Sequence, residues 1–129
     1  CSVLDPGLTV FEQTERFNAS HLAEHELKSI LNRCLFPYET WDKPCFCLSG
    51  GEKIRLLFCC LMIGNNAPDV FILDEPTNNL DIQSVEIITA AIKSYRGTVL
   101  LISHDHYFVK EIKINRSIKL FDTGSVIKI

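Results

Sequence analysis

Val70-Phe71-Ile72-Leu73 runs straight into two adjacent carboxylates, Asp74 and Glu75, and Pro76 then stops the run. A short continuous apolar run ended by a breaker reads as a strand buried on both faces. Both acids then stand at the carboxyl end of that strand, the edge at which open α/β sheets bind ligands. Successive strand residues point to opposite faces, so one acid can hold a metal ion while the other faces a reacting water. An acidic turn capping a strand is the ordinary alternative. Two further groups suit the same chemistry. Ser49-Gly50-Gly51-Glu52 has the Ser-x-x-Glu spacing of a capping box, so a helix starts after Ser49. With two glycines there, backbone N–H groups and the positive end of the helix dipole stand open to a phosphate; a plain cap is the ordinary alternative. His104 follows a second apolar run, Thr98 to Ile102, and stands on the same edge as Glu75. It is either an exposed turn histidine or part of the site.

The elements that must position these groups follow from periodicity and breakers. Leu8 to Phe11 reads as a short strand ending at Glu12-Gln13. Asn18 to Leu35 reads as a helix, with Leu22, Leu27, Ile30, Leu31 and Cys34 as its apolar stripe. Pro37 and Pro44 keep Phe36 to Phe46 from being one helix, and Trp41 is expected to pack there. Lys53 to Ile63 continues the helix begun at Ser49, apolar on most of its surface, and Gly64 ends it in a left-handed cap. Pro68 leads into the Val70 strand. Asp81 caps an amphipathic helix running from Ile82 to Tyr95, stopped by Arg96-Gly97. Strand, helix and strand make a right-handed parallel crossover. Asp105 to Glu111 forms one or two helical turns. Ser117 to Phe121 and Val126 to Ile129 pair as a hairpin about Asp122-Thr123-Gly124-Ser125.

The totals set limits. With 129 residues, 47% of them hydrophobic, the chain suffices for one modest domain with a real core. A net charge of −3 without a long basic run argues against a nucleic-acid-binding surface. No apolar run is long enough to span a bilayer, and no signal peptide is visible, so direct membrane insertion is not expected. Cys1, Cys34, Cys45, Cys47, Cys59 and Cys60 read as free thiols, with Cys59 and Cys60 as small core residues. Cys34 with Cys45 and Cys47 lacks the usual zinc spacing, and His21 with His25 lacks a third ligand.

Taken together, Val70 to Asp81 resembles the Walker B strand and D-loop of an ATP-binding-cassette (ABC) ATPase. Leu48-Ser49-Gly50-Gly51-Glu52 resembles the signature motif of that family, and Ser103-His104-Asp105 its switch histidine. Three motifs in this order are far more specific than any one. Glu-Pro-Thr-Asn-Asn-Leu-Asp with Ser-His-Asp-His-Tyr-Phe is most similar to the ABC-F branch, although Asn79 and His106 stand where that branch commonly has histidine and arginine. The resemblance runs from Leu8 to the end, about the second half of one cassette. It implies an α/β fold: a partial P-loop NTPase (RecA-like) parallel sheet with helices, a helical signature subdomain and a C-terminal β-hairpin. Within 1–129 it implies a Q-loop region at 8–17, the signature subdomain at 18–66 and the Walker B, D-loop and switch-histidine core at 67–129.

The resemblance also implies roles. Glu75 orients or deprotonates the attacking water, and His104 contacts the γ-phosphate. Asp74 holds Mg²⁺ together with Gln13, taken as the Q-loop residue. Ser49, Gly50, Gly51, Glu52 and Asp81 contact ATP, the signature residues reaching the nucleotide held by a second cassette. The P-loop pattern Gly-x4-Gly-Lys-Ser/Thr occurs nowhere in the sequence. The chain is therefore expected to be a piece of a longer protein. Alone it is expected to bind ATP weakly or not at all, to be inactive, and to self-associate through unpaired sheet edges. For the intact cytoplasmic protein the implied activity is ATP hydrolysis in work on the ribosome, in translation or antibiotic resistance. The alternatives are the ATPase subunit of a membrane transporter and a degenerate cassette kept as an interaction module.

Overall fold

The structure, a computed structural model, describes residues 3–64, 69–119 and 126–128, with the backbone alone for 118–119 and 126–128. The chain divides into two compact units, residues 1–67 and 68–129.

The first unit is helical: α1 (Val10–Arg16), α2 (Glu24–Arg33) and α3 (Gly50–Ile63), with 3₁₀ turns at Tyr38–Thr40 and Cys45–Cys47. The strand expected at Leu8 to Phe11 is instead the start of α1, and only Thr9 makes an isolated bridge, to Pro44. Local hydrogen bonding decides the matter. Thr9 Oγ accepts from the Glu12 amide at 3.2 Å, and the Glu12 carboxylate accepts from the Thr9 amide at 2.8 Å. This capping box satisfies two donors that a short apolar strand would leave open. The helix expected from Asn18 begins only at Glu24. Asn18 closes a loop first, its side chain bonding both the amide and the carbonyl of Leu22 at 2.9 Å, and His21 turns left-handed at φ 54°. His21 and His25 are therefore not one helical turn apart.

Around these helices the core forms on part of the expected stripe, Leu22 and Ile30 being only half-buried. Leu27, Leu31 and Cys34 of the α2 stripe are buried, as are Phe36 and Trp41. Trp41 packs as expected, its indole N–H donating to the Phe36 carbonyl at 2.8 Å. Helix α3 buries Leu56, Leu57, Phe58, Cys59, Cys60 and Ile63. Burial of such side chains is worth roughly 1.5–3 kcal/mol each for the larger ones, which outweighs the strand propensity of the run. The Cys59 thiol is pushed up by its hydrogen bond with Cys34 and by burial, and the Cys60 thiol by burial; both sit as inert core residues. Gly64 is not left-handed; it is extended at φ −87°, ψ 140°. Its value is close approach: a Cβ there would lie 3.0 Å from the Phe17 carbonyl oxygen. Asn65, Asn66 and Pro68 lie outside the described residues.

In the second unit β1 (Val70–Asp74) pairs parallel with β2 (Thr98–Ser103), joined by α4 (Ile82–Ser94). Helix α5 (His106–Ile112) follows, then β3 (Ser117–Lys119) and β4 (Val126–Lys128). The sheet order is β1-β2-β4-β3, with β4 antiparallel to both neighbours, so the expected hairpin extends the parallel pair into one mixed sheet. Its turn lies outside the described residues. Helices α4 and α5 pack together, burying Ile88, Ala91, Ile92, Phe108, Val109 and Ile112. Strand β1 is not buried on both faces. It is an edge strand among those described, with Val70 56% and Ile72 66% exposed while Leu73 is buried. This is the alternation of a strand covered on one side only. Helix α4 ends at Ser94, and Gly97 admits the Tyr95 ring, since a Cβ there would lie 2.3 Å from the Tyr95 hydroxyl.

Candidate functional site

Parallel pairing of β1 with β2 brings the late histidine to the acid pair. Asp74 stands opposite Ile102 in register, two positions short of His104. Glu75 continues the ladder by one bond, its amide donating to the Ile102 carbonyl at 2.8 Å. It then turns left-handed at φ 46°, a conformation that costs a glutamate about 1–3 kcal/mol and that clusters at functional sites. The turn aims its carboxylate at the end of β2. The His104 amide donates to Oε1 at 3.1 Å and to Oε2 at 3.3 Å, and the imidazole Nε2 lies 3.3 Å from Oε1. The Glu75 side chain is 20% exposed and that of His104 61%. The carboxylate is thus held at the sheet edge with lone pairs remaining, and the imidazole reaches into solvent beside it. Asp74 is exposed on the same edge. Asp81 caps α4, accepting from the Ser84 amide at 2.8 Å, and the Asn79 backbone is left-handed at φ 60° in the turn between.

The start of α3 belongs to the other unit and is described by itself. Ser49 Oγ accepts from the Glu52 amide at 3.2 Å, and the Glu52 carboxylate accepts from the Ser49 amide at 2.7 Å. That second bond holds the Glu52 carboxyl below its ordinary value, against the opposing effect of burial. Glu52 therefore orders the helix start and offers no donor of its own to an anion. Gly50 is exposed, and a Cβ added to it would meet nothing within 4 Å. The Gly50 and Gly51 amides belong to the first turn of α3, where no intrahelical carbonyl is available to them, and Ser49 and Gly50 are exposed at the positive end of the helix dipole.

Gln13 is placed differently from the expectation. It lies inside α1, fully buried, with Oε1 accepting from the Asp5 amide at 2.9 Å. In this arrangement its carbonyl oxygen serves a loop and has no open side for a metal. Among the described residues no three His, Cys, Asp or Glu side chains are grouped to hold a metal ion. An exposed Asp74 suits Mg²⁺ nonetheless, because that ion is held by one or two carboxylates together with waters and substrate phosphates. Two contributors were missed in the sequence. Thr9-x-x-Glu12 is the same spacing as Ser49-x-x-Glu52 and signals α1. Asp5 carries no local pattern that predicts its tie to Gln13.

No protein-family model matches the chain. Among curated proteins it is 46% identical over 99 residues to ABC transporter F family member 2 of Arabidopsis thaliana, covering 77% of this chain and 14% of that protein. It is 44% identical over 120 residues to family member 5 of the same plant, covering 93% and 17%. To the probable ATP-binding protein YbiT of Escherichia coli O157:H7 it is 43% identical over 105 residues, covering 81% and 19%. The chain thus spans less than a fifth of each of these relatives. Among solved structures, RNase-L inhibitor superposes with a TM-score of 0.64 at 23% identity, over 87% of this chain and 22% of that one. A dimeric bacterial ABC transporter cassette gives 0.61 at 22% identity, over 84% and 51%. These likenesses fix the fold as that of an ABC ATPase cassette. Among the described residues no helix is long and apolar enough to cross a membrane.

Proposed function

The chain carries part of an ABC-F ATP-binding cassette, and we propose that it contributes the hydrolytic edge and the signature helix to an ATPase that works on the ribosome in the cytoplasm. The observation that carries this reading is the carboxylate of Glu75 held against His104 at the end of two parallel strands, with Asp74 beside it. Glu75 orients the attacking water and accepts its proton through lone pairs that the His104 amide leaves open. The His104 imidazole, largely exposed, donates to a γ-phosphate oxygen and steadies the charge that develops there. Asp74 would hold Mg²⁺ through water, and the ion supplies charge neutralisation on the phosphoryl group. Asp81 fixes the start of α4 behind the turn. Ser49, Gly50 and Gly51 offer donors to ATP held by a second cassette, and Glu52 keeps that helix start in shape. Little covalent chemistry falls to the protein; positioning and electrostatics do most of the work. The pattern Gly-x4-Gly-Lys-Ser/Thr is not among these 129 residues, so we assign nucleotide affinity and turnover to the whole protein and none to this stretch alone.

The test is Glu75→Gln in the full-length protein. Hydrolysis should fall about 10²–10⁴-fold, the usual contribution of a positioned base, with nucleotide binding retained. Turnover at the wild-type rate would remove Glu75 from this role. In the same variant ATP should trap the protein on its target. Co-sedimentation with ribosomes supports the translation reading, and recovery with a membrane partner instead would replace it by the transporter one.

A further inference from the structure

A buried amide outside the reacting groups links α1 to the start of α3. Gln13 is 0% exposed, Oε1 accepts from the Asp5 amide at 2.9 Å, and Nε2 is buried with no hydrogen-bond partner among the described residues. An apolar side chain of the same length would fill this space at lower cost, so what the amide contributes is its acceptor. Asp5 passes the constraint on. Its Oδ1 accepts from the Gly7 amide at 2.9 Å, and its Oδ2 lies 3.6 Å from Arg16. The loop so held is bonded to the segment in front of α3: the Cys45 amide donates to the Leu8 carbonyl at 2.8 Å and the Phe46 amide to the Pro6 carbonyl at 3.2 Å. Cys45 in turn accepts from the Leu48 amide at 3.2 Å, and Ser49 is the next residue. An apolar cavity of about 200 Å³, lined by Leu4, Pro6, Cys45, Lys53, Ile54 and Leu57, separates the loop from the first turns of α3. The hydrogen bonds from Cys45 and Phe46 tie the segment in front of α3 to this loop.

We infer that Gln13 is a positioning residue that, through the loop at 5–8, sets the phosphate-facing start of α3; this rests on the assignment of that helix start to a second cassette's ATP. Its role is the orientation of Ser49, Gly50 and Gly51, and no contact with nucleotide or metal is involved.

The experiment uses the full-length protein and point variants of it. Gln13→Met keeps the volume and removes the acceptor. Turnover should fall about ten- to a hundredfold, as for a small misplacement of a group that meets the transition state, while nucleotide affinity stays at the wild-type value. Should Gln13→Met fail to fold, Gln13→Asn shortens the arm by one methylene and gives the same reading. Wild-type turnover in Gln13→Met, or a loss of nucleotide affinity equal to the loss of turnover, overturns the inference. Ser49→Ala, assayed in parallel, separates the two levels. If it slows hydrolysis and Gln13→Met does not, Gln13 alone loses its role. If Ser49→Ala hydrolyses at the wild-type rate, the assignment of the helix start itself falls.

Discussion

The start of α3 and the end of β1 are each organised by a carboxylate that accepts from a backbone amide, but over very different stretches of chain. Glu52 reaches back three residues to Ser49, whereas Glu75 reaches across 29 to His104. The first arrangement needs only the formation of one helical turn. The second needs β1 and β2 paired in the correct register, α4 folded between them, and a left-handed glutamate at the junction. The first arrangement is thus a property of local sequence and the second a property of the sheet. A chain built this way can keep a formed start of α3 while the sheet edge that carries Glu75 and His104 is disturbed.

The largest effect that would break this contrast comes from the sheet core. Leu101 is fully buried in β2, and Leu101→Ala should cost about 2–5 kcal/mol, the usual range for a buried leucine. Residue-resolved hydrogen exchange should show the His104 amide losing protection while the Glu52 amide keeps it. Equal loss at both would show that the helix start depends on the sheet and end the contrast. The converse substitution is milder. Ser49→Ala removes a side-chain cap and should cost about 1 kcal/mol, confined to the first turn of α3, with His104 exchange unchanged.

The same contrast explains what could be read from the sequence. The Ser49 box, the β1–α4–β2 unit and the placement of His104 beside Glu75 were all legible, since each rests on a strong pattern of spacing or breakers. The Thr9 box has the identical spacing yet reads as a strand, because Leu8-Thr9-Val10-Phe11 is apolar and β-branched and the two signals compete. Exposure of Val70 and Ile72 was not legible; apolar character does not say whether a neighbouring layer is present. Nor was the left-handed turn of Glu75, which no local preference of glutamate favours. The Gln13–Asp5 bond joins a helix to an irregular loop, and no periodicity marks it.

The smallest expected effect concerns pH and touches only the start of α3. The Ser49 amide holds the Glu52 carboxyl below its ordinary value of 4.5, so the folded state binds this proton less readily than the unfolded chain does. Its contribution to the helix start is complete above the ordinary value and is lost as pH falls through the lowered one. Acidification through this window should therefore release the Ser49 amide, seen as exchange faster than the intrinsic pH dependence predicts. Glu52→Gln keeps the reciprocal bonds of the box without a titrating group, so its Ser49 amide should follow the intrinsic pH dependence alone. If the glutamine variant and the parent responded alike, the charge on Glu52 would have no part in holding the helix start. The box would then act by geometry only, and Ser49→Ala, which removes the acceptor for the Glu52 amide, would still open it.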